Sequence, residues 1–228
     1  MNIPLIKKEC DNNLQILNDK KACQPVALLM ALVFYEKYPY LPFINNDYLL
    51  KRIEIKKELY NRCRTTNEDY YYAVPWGTLL GAVSFDGIYA TLLSKKPDSL
   101  LNEEQFNQQD VRNLIDEAKN HSSIQLLRWH CSDDNKIKFL KDILNKKIGV
   151  LIPTLKWGKD PHSVVLTDFY NGSFIFNNSN PNTKEYNFDS EQNLEEEEFK
   201  RRWIHEETDD DLLIISDEKI DFSEFEII

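Results

Sequence analysis

The sequence predicts an α+β fold: a helical N-terminal half, about residues 1–120, packed on an antiparallel C-terminal sheet, about residues 121–228. Three observations carry this. Up to the midpoint, apolar residues either recur at helical spacing or fill a whole helical surface. Beyond it, IGVLIPTL, HSVVLTDFY and SFIFNN are β-branched and aromatic runs. The last two are joined by Asn171-Gly172, a strong hairpin signal. Two such halves facing each other leave room for a groove between them.

The first helix is expected from Pro25 to Lys37, because proline is tolerated in a first turn and Pro39 prevents further continuation. Val26, Leu28, Leu29, Met30, Leu32, Val33 and Phe34 leave it no polar stripe, so it belongs in the interior. Asp47 caps a second helix, YLLKRIEIKKELYNR, and TTNEDYYYAVPWG is a polar, aromatic connection. TLLGAVSFDG reads as a short helix ending at Gly87, and VRNLIDEAKN as another. SIQLLRWH reads as a strand. Ser132 to Lys147 reads as a helix with Ile137, Leu140, Ile143 and Leu144 on one face. After the hairpin, EYNF and DLLIIS add two strands.

No repeat and no Gly/Ser/Pro-rich linker divides the 228 residues, so a single domain is expected, long enough to bury about 70% of its unfolded surface. The net charge of −10 and the lack of a basic cluster make nucleic acid and anionic membrane poor partners and fit a basic peptide or protein substrate better. The start lacks the apolar core of a secretory signal, and no apolar run reaches the roughly 18 residues of a membrane span. The reading is a protein that is cytoplasmic as synthesised, with export as an effector without a signal peptide left open. The four cysteines, Cys10, Cys23, Cys63 and Cys131, show no metal or disulfide spacing and read as reduced thiols. No metal or other cofactor is expected. His130 beside Cys131 reads as a buried strand end. His121 and His205 read as solvated, Asp209 to Asp211 as a turn, and Glu195 to Arg202 as an exposed helix face with opposite charges three to four apart.

Two residues suggest chemistry. Cys23 stands immediately before the apolar helix, where unpaired backbone N–H groups lower a thiol's pKa and raise the thiolate fraction. An ordinary buried thiol is the plainer reading. His162 opens a strand in KDPHSVVLTDFY, with Pro161 stiffening its approach. An imidazole serving such a thiol needs its other ring nitrogen held by an amide or carboxylate, and Asn177, Asn178 and Asn180 lie at the hairpin's far end.

ACQPVALLMAL, HSVVL and FNNSNP together resemble the papain-like cysteine peptidases of the bacteriocin-processing type, which cut double-glycine leaders. KFLKDILNKKIGVLIPTL resembles the helix and strand before that family's histidine. EEEEFKRRW resembles its closing segment, in which a Phe and a Trp seal the domain. The resemblance implies a papain-like fold and a thiol-dependent hydrolase that cleaves a peptide or isopeptide bond through an acyl-enzyme thioester. It implies Cys23 as nucleophile, His162 as general base and acid, and Asn178 as the residue that orients the imidazole. Gln15 is the implied oxyanion donor, with Asn18 second. Trp157 and Trp76 are expected in loops flanking a substrate groove, with core packing as the alternative for each.

Two departures matter. Gln24 stands where the family has Gly, and its side chain can crowd the oxyanion site or change which substrates fit. Asn stands where the family commonly has Asp. These favour an alternative reading, a catalytically reduced fold that binds a peptide or protein; an acyltransferase using the same triad is another. Hairpin parity adds a conflict: a strict two-residue turn sets Asn177 opposite Leu166, on the side of His162, and turns Asn178 away. A three-residue turn or one bulge reverses this.

Overall fold

A computed structural model describes residues 1–3, 23–37, 75–95, 113, 116–157, 160–178, 192–205 and 210–225. The helix expected after Asp47, the strand EYNF, Gln15 and Asn18 lie outside them. Among the described residues no helix is long and apolar enough to cross a membrane.

Helix α1, Cys23–Phe34, is the apolar run, and Ala27 to Leu32 are all buried. It begins at Cys23 rather than Pro25 and stops before Lys37. The stop is local: Glu36 takes a left-handed φ of 57°, Lys37 N–H returns to the Leu32 carbonyl, and Glu36 N–H to that of Val33. That pattern satisfies the last carbonyls without help from Pro39. Helix α2 spans Pro75–Val83, so it takes its start from the expected connection and ends before Gly87.

Strand β1, Tyr89–Ser94, comes next. It lies inside the stretch expected to be helical, yet it pairs in parallel with β2, Ile124–Arg128, and antiparallel with β8, Leu212–Ser216. Beyond β2, His130 is exposed and Cys131 half-buried, so the pair is not the buried strand end the sequence suggested. Helix α3, Asp133–Lys146, is the amphipathic helix expected from Ser132; the Ser132 side chain accepts from Asn135 N–H, and Lys147 closes the far end in the left-handed region. Strands β3 (Val150–Trp157), β4 (Asp160–Ser163), β5 (Val165–Tyr170), β6 (Ser173–Asn177) and β7 (Gln192–Glu195) come after it, then helix α4, Glu196–Trp203.

The eight strands form one sheet in the order β2-β1-β8-β3-β5-β6-β7, with β4 paired to β3. The fold is α+β as expected, but the sheet is mixed rather than wholly antiparallel. The crossover between β1 and β2 is long enough, with helical residues at 116–120, to make the parallel pair. The central strands are covered on both faces. On one, Val150, Ile152, Leu213 and Ile215 pack with α1 and α2; on the other, Leu151, Leu212, Ile214, Phe174 and Phe176 pack with α3 and α4. Phe199 and Trp203 of α4 are fully buried, while its Glu198 pairs with Arg201 and Arg202 on the outer side, as the charge spacing indicates.

Candidate active site

The hairpin resolves the parity conflict. Asn171 and Gly172, with φ of 49° and 77°, form the two-residue turn, and pairing runs in strict register from Tyr170↔Ser173 to Asp168↔Ile175. It then slips: Leu166 faces Phe176 and Val165 faces Asn177. One bulge, at Thr167, exchanges the faces of everything beyond it. Asn178 therefore comes to the side of His162, while Asn177 turns to the opposite face and donates from Nδ2 to the Ile3 carbonyl at 2.8 Å.

His162 does not share one strand with Val165. It sits on the short β4, cross-strand from Leu155, with Val164 marking the break between β4 and β5. The residue is 6% exposed, and Nε2 lies 2.8 Å from Asn178 Oδ1, on a residue with no exposure at all. An amide oxygen only accepts, so the Nε2 position carries the proton. In the neutral ring that leaves Nδ1 as the basic nitrogen. Asn178 Nδ2 in turn donates to Gln192 Oε1 at 3.1 Å.

Trp157 is the last residue of β3, not a loop residue. Its ring meets His162 edge-on with centroids 6.2 Å apart, and Phe176 at 6.1 Å. The Arg202 guanidinium stacks over the same indole at 4.7 Å. Glu198 anchors that guanidinium through Arg202 Nε at 2.6 Å, and hydrogen bonds from Arg201 and Arg202 hold the Glu198 carboxyl down to about 2. The imidazole is thus walled by an aromatic plane that a surface ion pair holds in place.

Cys23 is the first residue of α1, half-buried and a thiol rather than a disulfide. The first turn contains no acidic residue, so no side-chain anion within it offsets the partial positive charge of the helix N-terminus. Helix α1 packs directly against β4, the strand that carries His162. Gln24, also half-buried, accepts at Oε1 from the Thr78 hydroxyl of α2 at 3.1 Å, which ties its amide to the neighbouring helix. Trp76 lies in α2, and its side chain is outside the described residues. Among the described residues no group of three His, Cys, Asp or Glu side chains is arranged to hold a metal ion.

No protein-family model matches the chain, and no curated protein matches it. Among solved structures it is similar to the peptidase domain of Streptococcus ComA, a bi-functional ABC transporter involved in a quorum sensing pathway. That likeness has a TM-score of 0.49 and 12% identity over 93% of this chain and 96% of the other. It is similar to a C39-like peptidase from Bacillus anthracis at a TM-score of 0.49 and 13% identity, over 96% of each chain. Neither likeness assigns a role to a residue of this chain.

The sequence therefore singled out His162 and Asn178, which the structure joins by a hydrogen bond. It did not single out Gln192, which completes that chain of contacts. The short stretch QNLE has no periodicity that marks it as a strand; its place comes from pairing with β6.

Proposed function

We propose that this chain is a papain-like thiol hydrolase that cleaves a peptide or isopeptide bond through a covalent thioester on Cys23. The observation that carries the reading is the buried His162–Asn178 hydrogen bond, since it leaves a basic Nδ1 on an imidazole whose strand packs against the thiol-bearing helix. Nδ1 takes the proton from Cys23 Sγ, and the thiolate attacks the carbonyl carbon. The tetrahedral intermediate collapses as the C–N bond breaks, and His162 returns the proton to the leaving amine. Water, deprotonated by the same nitrogen, then attacks the thioester and frees the thiol. Asn178 stabilises the imidazolium form by holding Nε2–H without adding charge. The Cys23 backbone N–H and Gln15 are the proposed oxyanion donors, and loss of one such donor typically costs about 100- to 1000-fold in rate. Trp157, Gln24 and Trp76 are the proposed contacts to a peptide in the groove, where α1 meets β3 and β4.

Profiling a peptide library with the wild-type protein and with Cys23→Ala tests this. Cleavage by the wild type alone is the expected result. Equal peptide binding by both, with cleavage by neither, would favour the binding-module reading instead.

A further inference from the structure

We infer that Gln192 is a positioning residue for the imidazole: by accepting from Asn178 Nδ2, it fixes which end of the Asn178 amide faces His162, and so which ring nitrogen of His162 is left basic. This rests on the function proposed above. The geometry is a directional chain of three side chains. His162 Nε2 meets Asn178 Oδ1 at 2.8 Å, and Asn178 Nδ2 meets Gln192 Oε1 at 3.1 Å. In the β6–β7 register Phe176 faces Gln192, so Asn178, two residues further along the same face, sits diagonally across from it.

The physical need arises from the residue type. A carboxylate presents an oxygen to the imidazole whichever way it turns. An amide has two unlike ends of nearly equal size, and only one of them is useful here. If Asn178 turned over, Nδ2 would point at His162 and require Nε2 as acceptor. The ring proton would move to Nδ1, the nitrogen that has to take the proton from the thiol. With Gln192 Oε1 in place, the turned-over amide sets oxygen against oxygen; Asn178 is fully buried, so water offers it no relief, and the clash ends only if the half-buried Gln192 amide turns over as well. His162 itself is nearly sealed and walled by Trp157, so the amide at Nε2 acts on the tautomer locally.

The test has two readouts. In a Cys23→Ala background, which removes the thiol, nitrogen-15 spectra of labelled histidine report the tautomer of the imidazole. The background protein and its Gln192→Glu variant, which can only accept at that position, should both show Nε2–H. Gln192→Leu, which accepts nothing and excludes water, should shift His162 toward the Nδ1–H form. With Cys23 intact, the same substitution should slow Cys23 alkylation and peptide cleavage by roughly 10- to 100-fold, the range typical of partners that orient a reactive group. Asn178→Asp should make Gln192 dispensable: the Asn178→Asp/Gln192→Leu protein should lose less than about 3-fold relative to Asn178→Asp alone. If Gln192→Leu fails to fold, Gln192→Ala takes its place in both readouts. An unchanged tautomer in Gln192→Leu, or a loss that is equal with and without Asn178→Asp, would overturn the inference. A wild-type Cys23 no more reactive than the other cysteines would instead overturn the proposed function, while the tautomer spectra still decide the role of Gln192.

Discussion

Two buried polar constellations of this molecule are built on opposite chemistry. In one, the fully buried Asp210 carboxylate receives Lys136 Nζ at 2.6 Å and Lys95 Nζ at 2.7 Å. Lys136, itself 3% exposed, also reaches Asp133 at 3.1 Å and stands over the Trp129 ring. Trp129 donates to the Asp210 carbonyl at 3.0 Å. In the other, His162, Asn178 and Gln192 form a chain without formal charge when the imidazole is neutral. The charged cluster is insensitive to direction, because a carboxylate and an ammonium present the same face however they rotate. It ties α3 to the turn before β8, and its business is stability. The neutral chain depends on direction throughout, and no fixed charge in it holds the His162 proton in place. The role proposed for His162 as a base needs that freedom; a structural clamp does not.

Substitutions should separate the two. His162→Ala should lower peptide cleavage by about a million-fold, as for loss of the base in a nucleophile–base pair, while costing about 1–3 kcal/mol in stability for the buried Asn178 oxygen left without its partner. Asp210→Asn should do the reverse: it removes the buried counter-charge of Lys136, leaving it the half-exposed Asp133, and should cost up to about 3–5 kcal/mol in denaturant unfolding, while cleavage per folded molecule stays the same. The neighbours Asn177 and Asn178 give a finer contrast. Asn178→Ala should reduce cleavage about 10- to 100-fold. Asn177→Ala should leave cleavage intact and cost about 1–2 kcal/mol through its lost buried bond to the Ile3 carbonyl. The smallest effect belongs to the ion pair behind Trp157. The Glu198 carboxyl is held at about 2 in the fold against an ordinary 4.5, so its contribution is present above pH 4.5 and lost as pH falls toward 2. Being partly exposed it is worth under about 1 kcal/mol, and Glu198→Gln should flatten the acid limb of the stability curve by no more than that.

Much of the frame was legible because its signals are local. Helix α1 is apolar all round, Ser132 caps α3, and Asn171-Gly172 supplies the two positive φ values that a tight hairpin needs. The hydrogen-bond partner of His162 was legible down to two candidate asparagines. What chose between them is the bulge at Thr167, which arises where the β5–β6 ladder slips and which no residue in HSVVLTDFY announces. The same holds for the break at Val164, for β1 inside a helical stretch, and for β7. Each is fixed by the strands it pairs with rather than by its own period. Gln192 stayed hidden because its role is set by a diagonal neighbour on another strand.

The central claim is that His162 activates Cys23. Its most direct test is the rate of iodoacetamide alkylation at pH 6, resolved by mass spectrometry over Cys10, Cys23, Cys63 and Cys131. An ordinary thiol is well under about 1% ionised at that pH, so a thiolate paired with an imidazolium should react roughly 10- to 100-fold faster. Cys23 is expected to stand out by that factor and to lose its advantage in His162→Ala. Equal rates at all four cysteines, or a fast Cys23 indifferent to His162, would contradict the claim.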